Sequence, residues 1–546
     1  MGIQPLLRRW GTCKARQALG TTPSAALSAV IRTTAVPATD PMRQDSAEAS
    51  PEQPSVTPPF QDLQFDDAKQ AFKAKSTGQL LQSLAVFKAC TIKPLVNNAD
   101  TLLAASRRLA PYLVDHAVKH TFFRHFCGGD RVVQYLERHG IRPILNYAAE
   151  DDVKEEGEGD SCPLAAAERK LDRNLDIFMR SIRDSDNIRN RAFVAIKVTP
   201  LGPPKLLEKM SEVLTATGNP LDRGHASAAL REALLPHLDP QEVVSLDALM
   251  RRLDTLCDAV VAKAGSPLDL CAAPCVVLLT GHMIVLLWPY FCMPTARMPQ
   301  ACVSNGNSRI LVDAEHTYMQ PAIDALAIRA QQRCNRSEPV VINTYQCYLK
   351  DAAARIERDM ARAAEEGWVF GAKTVRGAYM VVERARAQAL GYDSPIQDTL
   401  QATHANYDRC VERILGSVAR SDAELMVASH NQASVENASR CMHSLGLNPS
   451  TSGVYFGQLL GMADHLSFTL GRAGYRIHKI VPYGPVHETL QYLIRRAQEN
   501  SDVLGGCGKE RNMIRTELLR RLRQDNALAR ALWRPRDTSP AAAAAA

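Results

Sequence analysis

Short apolar runs rich in β-branched and aromatic residues recur along the chain, each followed by a stretch whose apolar positions repeat at helical spacing. Eight such runs stand out: RPILNY (Arg142–Tyr147), FVAIKV (Phe193–Val198), RILVDAE (Arg309–Glu315), PVVINTY (Pro339–Tyr345), WVFGAKTV (Trp368–Val375), ELMVASH (Glu424–His430), GVYFGQ (Gly453–Gln458) and YRIHKIVPY (Tyr475–Tyr483). From the third onward the connections have room for one helix each: Met319–Cys334, Cys347–Glu366, Val381–Ser417, Ala433–Leu445, Leu459–Gly474 and Val486–Asn500. Strand–helix alternation repeated in this way predicts an α/β chain folded as a (β/α)8 TIM-like barrel, with parallel strands buried on both faces. A doubly wound sheet is the alternative, but neither G-x-G-x-x-G nor G-x-x-x-x-G-K-[ST] occurs.

Two regions break the alternation. Residues 60–135 carry amphipathic spacing over Asp66–Phe87 and Thr101–Phe126, which predicts an N-terminal helical arm beside a barrel of residues 136–524. Residues 205–265 are also helical in pattern, within an insertion (202–307) between strands two and three. Its run LDPQEVVSLDALM lacks the D-x-[DN]-x-[DN]-G ligands of a calcium loop, and no metal site is expected. From Leu270 to Ala296 there is no charged side chain, and Val276–Cys292 could nearly cross a bilayer. Gly281, His282 and the bracketing prolines 274, 289 and 294 make a buried or membrane-surface hairpin as good a reading as a span.

Composition narrows the class. With 546 residues, 46% hydrophobic and 23% charged, the chain suits a large globular enzyme. Its net charge of +7 owes part to Arg8, Arg9, Lys14, Arg16 and Arg32, in a stretch with no acidic residue before Asp40. Residues 1–40 therefore read as a mitochondrial presequence, 41–59 as a Pro/Ser/Glu-rich linker and 525–546 as a disordered tail. No basic stripe interleaved with aromatics points to nucleic acid. The 14 cysteines are scattered and form no C-x-x-C pair, which fits a reducing compartment.

Candidate chemistry gathers at the strand ends. Lys197, Asp313, Glu315, Gln346, Lys373, Arg376, His430 and Gln458 fall at or just after a strand's C-terminal end, where a barrel builds its active site. Beyond the last strand, Arg495 and Arg496 stand side by side with Glu499 following. Each alone reads as a cap or a surface ion pair. Together they give a mouth richer in cations than in carboxylates, suited to a small carboxylate and a cofactor diphosphate. Gly377 and Ala378 would let a flat ring approach the backbone, with Tyr379 as an aromatic wall. A Schiff-base lyase using Lys197 or Lys373 is the remote alternative, disfavoured by the surrounding arginines.

LVDAEHTYMQPAI, INTYQCYLKDA, EEGWVFGAKTVRGAYM, LMVASHNQ, VYFGQLLGMADHLSF and VPYGPVHETLQYLIRRAQENS, six motifs in one order, resemble the eukaryotic mitochondrial proline dehydrogenase family. The likeness is nearly continuous over 308–522 and looser over 122–199. It implies an FAD-dependent barrel that oxidises L-proline to Δ1-pyrroline-5-carboxylate, the first step of proline catabolism, and passes electrons to ubiquinone. It further implies a protein peripheral to the matrix side of the inner membrane, with the downstream pyrroline-5-carboxylate dehydrogenase on a separate chain. Carried over by position, Arg495, Arg496 and Lys197 would hold the substrate carboxylate, Asp313 would orient Arg495, and Tyr379 and Leu459 would wall the ring. Lys373 would lie beside the reactive flavin edge. Gln346, Val375, Arg376, Gly377 and Ala378 would line the flavin and diphosphate, and Ser429, His430 and Glu499 the ribose and adenine end. Two positions depart from the pattern: Asn146 stands where an acidic residue is expected, and Ile480 where proline-specific members carry tyrosine. Hydroxyproline dehydrogenases carry a smaller residue there, and 4-hydroxyproline is the alternative substrate. An apolar Ile480 leaves a buried 4-hydroxyl without a partner and favours proline.

Overall fold

All eight runs form strands, and the strands close on themselves. A computed structural model describes residues 63–109, 111–147, 163–185, 192–218, 229–263, 277–279, 282–284, 308–484, 489, 492–494, 496 and 506–525. Strands β1 (Ile141–Tyr147), β2 (Ala192–Ile196), β3 (Ser308–Val312), β4 (Val341–Gln346), β5 (Phe370–Val375), β6 (Ala423–Ala428), β7 (Val454–Leu459) and β8 (Ile477–Tyr483) build the barrel. They pair in parallel in the closed order β1–β8–β7–β6–β5–β4–β3–β2. The predicted (β/α)8 architecture is the observed one.

β2, β3 and β4 are buried at every position, because alternate side chains enter the barrel interior and the helical layer around it. The interior is packed by Ile144, Phe193, Ala195, Leu311, Ile342, Met426 and Tyr455, with Ile480 against them. Burying a Phe, Ile or Leu side chain contributes about 1.5–3 kcal/mol, so this cluster holds the strand register. Helix Gln320–Cys334 is buried along nearly its whole length, and the insertion's helices Pro204–Thr217 and Pro240–Lys263 pack over it. The insertion is thus helical as expected. Its Asp239 accepts from the backbone N–H groups of Gln241 and Glu242 at 2.8 and 2.9 Å, so the calcium-like rhythm is a helix N-cap.

Two expectations need correction. The arm is not two long helices but a series of short ones: Ala68–Ala71, Thr77–Cys90, Lys93–Asn97, Ala99–Leu109, Pro111–Val118 and Asp130–Glu137, with a π-turn over Lys119–Phe123. The first break comes at Ser76, whose hydroxyl accepts from Gln79 N–H while the Gln79 side chain accepts from Ser76 N–H. That reciprocal cap starts a new helix where amphipathic spacing alone runs on. The connection after β5 holds two helices, Met380–Leu390 and Leu400–Ala419, separated by Gly391 in the left-handed conformation (φ 72°). A further helix, Gly506–Asp525, packs Met513, Ile514 and Leu518 against Phe72, Leu80 and Phe87 of the arm. Arg521 donates to the Phe72 and Lys75 carbonyls there, at 2.9 and 2.8 Å.

In the uncharged segment, Val277–Leu279 pairs antiparallel with His282–Ile284. The rest of that segment, with residues 1–62 and 526–546, lies outside the described residues. Among the described residues no helix is long and apolar enough to cross a membrane.

Candidate active site

Alternation along a strand decides which residues look inward. Phe193, Leu311, Ile342 and Tyr455 belong to the interior cluster. Stepping by two toward the C-terminal ends reaches Lys197 after β2, Asp313 after β3, Gln346 on β4 and Leu459 on β7. Ile480 of β8 lies in register with both Ile144 and Leu459. The resemblance and the backbone phase therefore select the same mouth.

Lys373 of β5 is buried, and its ammonium binds the Asp313 carboxylate at 2.5 Å. The partner expected for Asp313 was Arg495, which lies outside the described residues, as does Glu499. In the structure Asp313 joins β3 to β5 across the mouth. Lys197 is half-buried, and its charge acts on Glu315. Gln346 is buried, and its amide N–H donates to the Glu315 carbonyl at 3.2 Å. Its amide oxygen has no hydrogen-bond partner. An acceptor left bare in that place suits a bound donor.

Not every strand-end residue faces the mouth. Gln458 falls on the outward phase and accepts from Ser467 of helix Asp464–Arg472. Glu315 accepts from Val198 N–H, Thr199 N–H and the Thr199 hydroxyl at 3.2, 3.2 and 2.7 Å, so it staples the ends of β2 and β3. Burial raises its carboxyl above the usual range. Arg376 spends its guanidinium on His404 Nδ1 (3.0 Å), the Ser429 hydroxyl (2.8 Å) and the Ser434 hydroxyl (2.8 Å), over the Tyr407 ring at 4.3 Å. Burial lowers its pKa.

The backbone after β5 is tightly confined. Gly377 has φ 131°, and a Cβ there would come within 2.5 Å of the Tyr348 ring. Only glycine satisfies both constraints. Val375 and Tyr379 are half-buried and Ala378 is exposed, so this turn forms one rim of the mouth.

Two strands away, on β7, Leu459 is fixed at both ends of its peptide. Its N–H donates to His430 Nε2 at 3.0 Å, which puts the imidazole proton on Nδ1. Burial, then the charges of Lys479 and Arg496, pulls His430 down to about 3, so the ring stays neutral as an acceptor must. The Leu459 carbonyl accepts from Lys479 at 3.1 Å. Lys479 is fully buried, and it also binds Met462 O at 2.5 Å and Asp464 at 2.6 Å. Burial would raise Asp464, but Lys479 and Lys75 hold it far below the carboxylate range. Glu510 completes the knot by accepting from the Ala463 and Asp464 N–H groups, each at 2.8 Å. Phe122, Phe123 and Phe126 of the arm share an apolar cluster with Leu459, Met462, Tyr492 and Leu493. The arm is therefore part of the mouth, just before Arg496, whose guanidinium lies 4.9 Å over Tyr492.

Sequence reasoning missed Lys479, Asp464 and Glu510. A lysine inside an otherwise apolar strand was the available signal, since a buried ammonium requires a carboxylate.

A family model described as proline dehydrogenase matches residues 132–507. Human mitochondrial proline dehydrogenase 1 is 36% identical over 86% of this chain and 92% of its own length, and the Caenorhabditis elegans protein of that name 33% over 84% and 89%. Hydroxyproline dehydrogenase of Xenopus laevis is 34% identical over 84% and 90%. Among solved structures, proline utilization A from Bdellovibrio bacteriovorus inactivated by N-propargylglycine aligns at 15% identity and TM-score 0.49, covering 81% of this chain and 38% of that one. With the family model spanning most of the barrel and relatives above 30% identity along nearly their whole length, the chain belongs to the proline dehydrogenase family.

Proposed function

We propose that this chain oxidises L-proline to Δ1-pyrroline-5-carboxylate with FAD as cofactor. One observation carries the reading. At the barrel mouth Lys373 pairs with Asp313 and Lys197 acts on Glu315, and the buried amide oxygen of Gln346 has no hydrogen-bond partner. The Gly377 turn is held tightly against the Tyr348 ring, which fixes the backbone at that rim of the mouth. These features fit a flavin. Gln346, Lys373, Val375, Gly377 and Ala378 would hold its ring and diphosphate, with Ser429, His430 and Glu499 nearer the adenosine. When bound, FAD supplies the two-electron acceptor for the hydride leaving proline C5.

The chain's own residues then have three tasks. Arg496, Arg495 and Lys197 would clamp the substrate carboxylate, using the bidentate geometry that guanidinium offers. Leu459 and Tyr379 would desolvate the ring, which favours the neutral amine, and the amine proton passes to solvent before C5–H cleavage. The Lys373–Asp313 ion pair ties β5 to the end of β3 at the inner wall of the mouth. No acid–base triad is required, because positioning supplies much of the acceleration. That ion pair also argues against a Schiff-base role for Lys373, since an ammonium clamped by a carboxylate has no free lone pair.

The relatives named for proline and those named for hydroxyproline are about equally similar. Ile480, packed on the apolar interior cluster, is what favours proline. Ubiquinone as acceptor, a peripheral seat on the matrix side of the inner mitochondrial membrane, and hand-over to a separate pyrroline-5-carboxylate dehydrogenase complete the proposal.

The test is an anaerobic visible spectrum of the full chain loaded with FAD, titrated with L-proline and then with trans-4-hydroxy-L-proline. Bleaching by proline at the lower concentration is the expected result. Preferential bleaching by hydroxyproline would move the substrate assignment to the 4-hydroxylated ring. A protein that takes up no flavin would remove the proposal.

A further inference from the structure

Beside the mouth, four side chains stack in one column that ends on Tyr379. Glu208, on insertion helix Pro204–Thr217, binds the Arg386 guanidinium at 3.1 Å. Arg386 lies over the Tyr318 ring at 4.1 Å. Tyr318 stacks on His316 with centroids 5.3 Å apart and planes 18° from parallel. His316 faces Tyr379 at 4.2 Å with a 43° tilt. The column crosses from the insertion, through the loop after β3, to the turn after β5.

His316 is fixed by more than stacking. Its Nδ1 lies 3.3 Å from Oε1 of Glu383, a carboxylate with no solvent exposure. Glu383 also accepts from the Thr317 N–H at 2.8 Å and from the Thr317 hydroxyl. Burial would raise this carboxyl, but the His316 and Thr317 hydrogen bonds hold it below the usual range. An ionised carboxylate only accepts, so the imidazole nitrogen facing it is the donor. Glu383 is one helical turn beyond Tyr379, and its N–H donates to the Tyr379 carbonyl at 2.9 Å. His316 therefore grips two points of the same turn: a carboxylate at one and an aromatic face at the other.

We propose that His316 is a positioning residue for Tyr379, fixing the aromatic wall of the mouth, and that the insertion contributes to catalysis by backing this ring through Arg386 and Tyr318. The inference rests on the proposed function, in which Tyr379 borders the substrate. Each aromatic or cation–π contact in the column is modest. The effect on turnover is larger than contact energies suggest, because small misplacements at a reacting centre are amplified.

Three variants of the FAD-loaded full chain separate the roles. His316→Asn keeps a donor for Glu383 and loses the ring. His316→Phe keeps the ring and loses the donor. Tyr318→Leu removes the backing ring without touching Glu383. The first readout is the ¹⁹F resonance of Tyr379 in protein labelled with 3-fluorotyrosine, assigned by its loss in Tyr379→Phe. It should move in His316→Asn, stay near its wild-type position in His316→Phe, and move less, in the same direction, in Tyr318→Leu. The second is kcat/KM for proline, which His316→Asn should lower about tenfold and His316→Phe by less than about threefold. In a Tyr379→Ala background the His316→Asn loss should shrink below about twofold, because coupled residues are not additive. An unmoved resonance, or the same tenfold loss without Tyr379, overturns the proposal. A wild-type holoenzyme inert toward proline would defeat the function while the ¹⁹F shift still decided the positioning.

Discussion

The barrel carries buried ionic groups at both ends, and the two ends treat them differently. At the N-terminal end, Arg309 is nearly buried and binds Glu424 and Glu338, with the Tyr455 hydroxyl 3.3 Å away. Arg476 closes the layer through the Ser450 and Ser452 carbonyls, each at 2.7 Å, and the same Tyr455 hydroxyl at 3.3 Å. Arg309 meets both carboxylates, and Arg476 meets carbonyl and hydroxyl oxygens. Burial disfavours the charge on Arg309, yet Glu424, Tyr455 and Glu338 raise its pKa above the ordinary value. At the C-terminal end, Asp313 binds Lys373, Glu315 is turned to the loop after β2, and Lys197 and Arg496 add positive charge. The first end is closed by its own ion pairs, and the second, the open end, is where the proposed anion site lies. Buried charges tied to their partners maintain the fold, whereas titratable groups gathered at the C-terminal end of the barrel are where the proposed site lies.

The strongest way to break that contrast is at the closed end. Arg309→Met leaves Glu424 and Glu338 without their cation and should destabilise the protein by about 3–5 kcal/mol. Denaturant unfolding reads the loss, and kcat/KM of the protein that remains folded should not change. Reduced turnover per folded flavin would show that the two ends communicate. At the open end the signature reverses. Arg496→Met should raise the KM for proline by about tenfold to a hundredfold, the range expected for a charge-assisted hydrogen bond, with the unfolding midpoint hardly moved. A KM within twofold of wild type would remove Arg496 from the carboxylate clamp.

A subtler test uses protons. His430 is held at about 3 in the folded protein, against an ordinary value of 6.5. Between those values the unfolded chain binds a proton that the folded chain refuses, so the stability due to this group is complete above about pH 6.5 and is lost as the pH falls toward 3. Each pH unit in that window costs up to about 1.4 kcal/mol. His430→Gln retains an acceptor for Leu459 N–H and should flatten the fall in Tm between pH 7 and 4.5. His125, buried and lowered to about 4, will keep part of the slope. An unaltered acid limb would mean that His430 is already protonated, and the neutral acceptor assigned to Leu459 would be wrong.

Much of the barrel was legible because period-two and period-3.6 patterns alternate in register with the chain, and every one of the eight runs became a strand. The mouth was legible where strand phase and motif agreed, as at Lys197, Asp313, Gln346, Lys373 and Leu459. It was not legible where a side chain leaves the strand for a helix. Gln458 and Arg376 sit at the right height and face Ser467 and Ser434, on helices separated from them in sequence. Nor could local spacing reveal the knot of Lys75, Asp464, Lys479 and Glu510, because its members are spread over more than four hundred residues. The column through His316 was hidden for the same reason, since its links come from three separate loops and helices.

The smallest expected effect concerns the boundary between the two ends. Ile480 pairs with Ile144 and Leu459, so its side chain stands where the apolar interior gives way to the mouth. Such a position is sensitive to shape without holding charge. In Ile480→Tyr the phenol must extend upward, because the interior below is filled by Phe193, Met426 and Tyr455. Forcing it downward would cost about 1–3 kcal/mol of overpacking. A ring extending into the mouth narrows the space over the substrate, tightening contact with proline and crowding a 4-hydroxyl. The ratio of kcat/KM for L-proline to that for trans-4-hydroxy-L-proline should rise about threefold to tenfold, a range typical of apolar pocket contacts. An unchanged ratio with a lower Tm would place residue 480 inside the closed interior, away from the substrate ring.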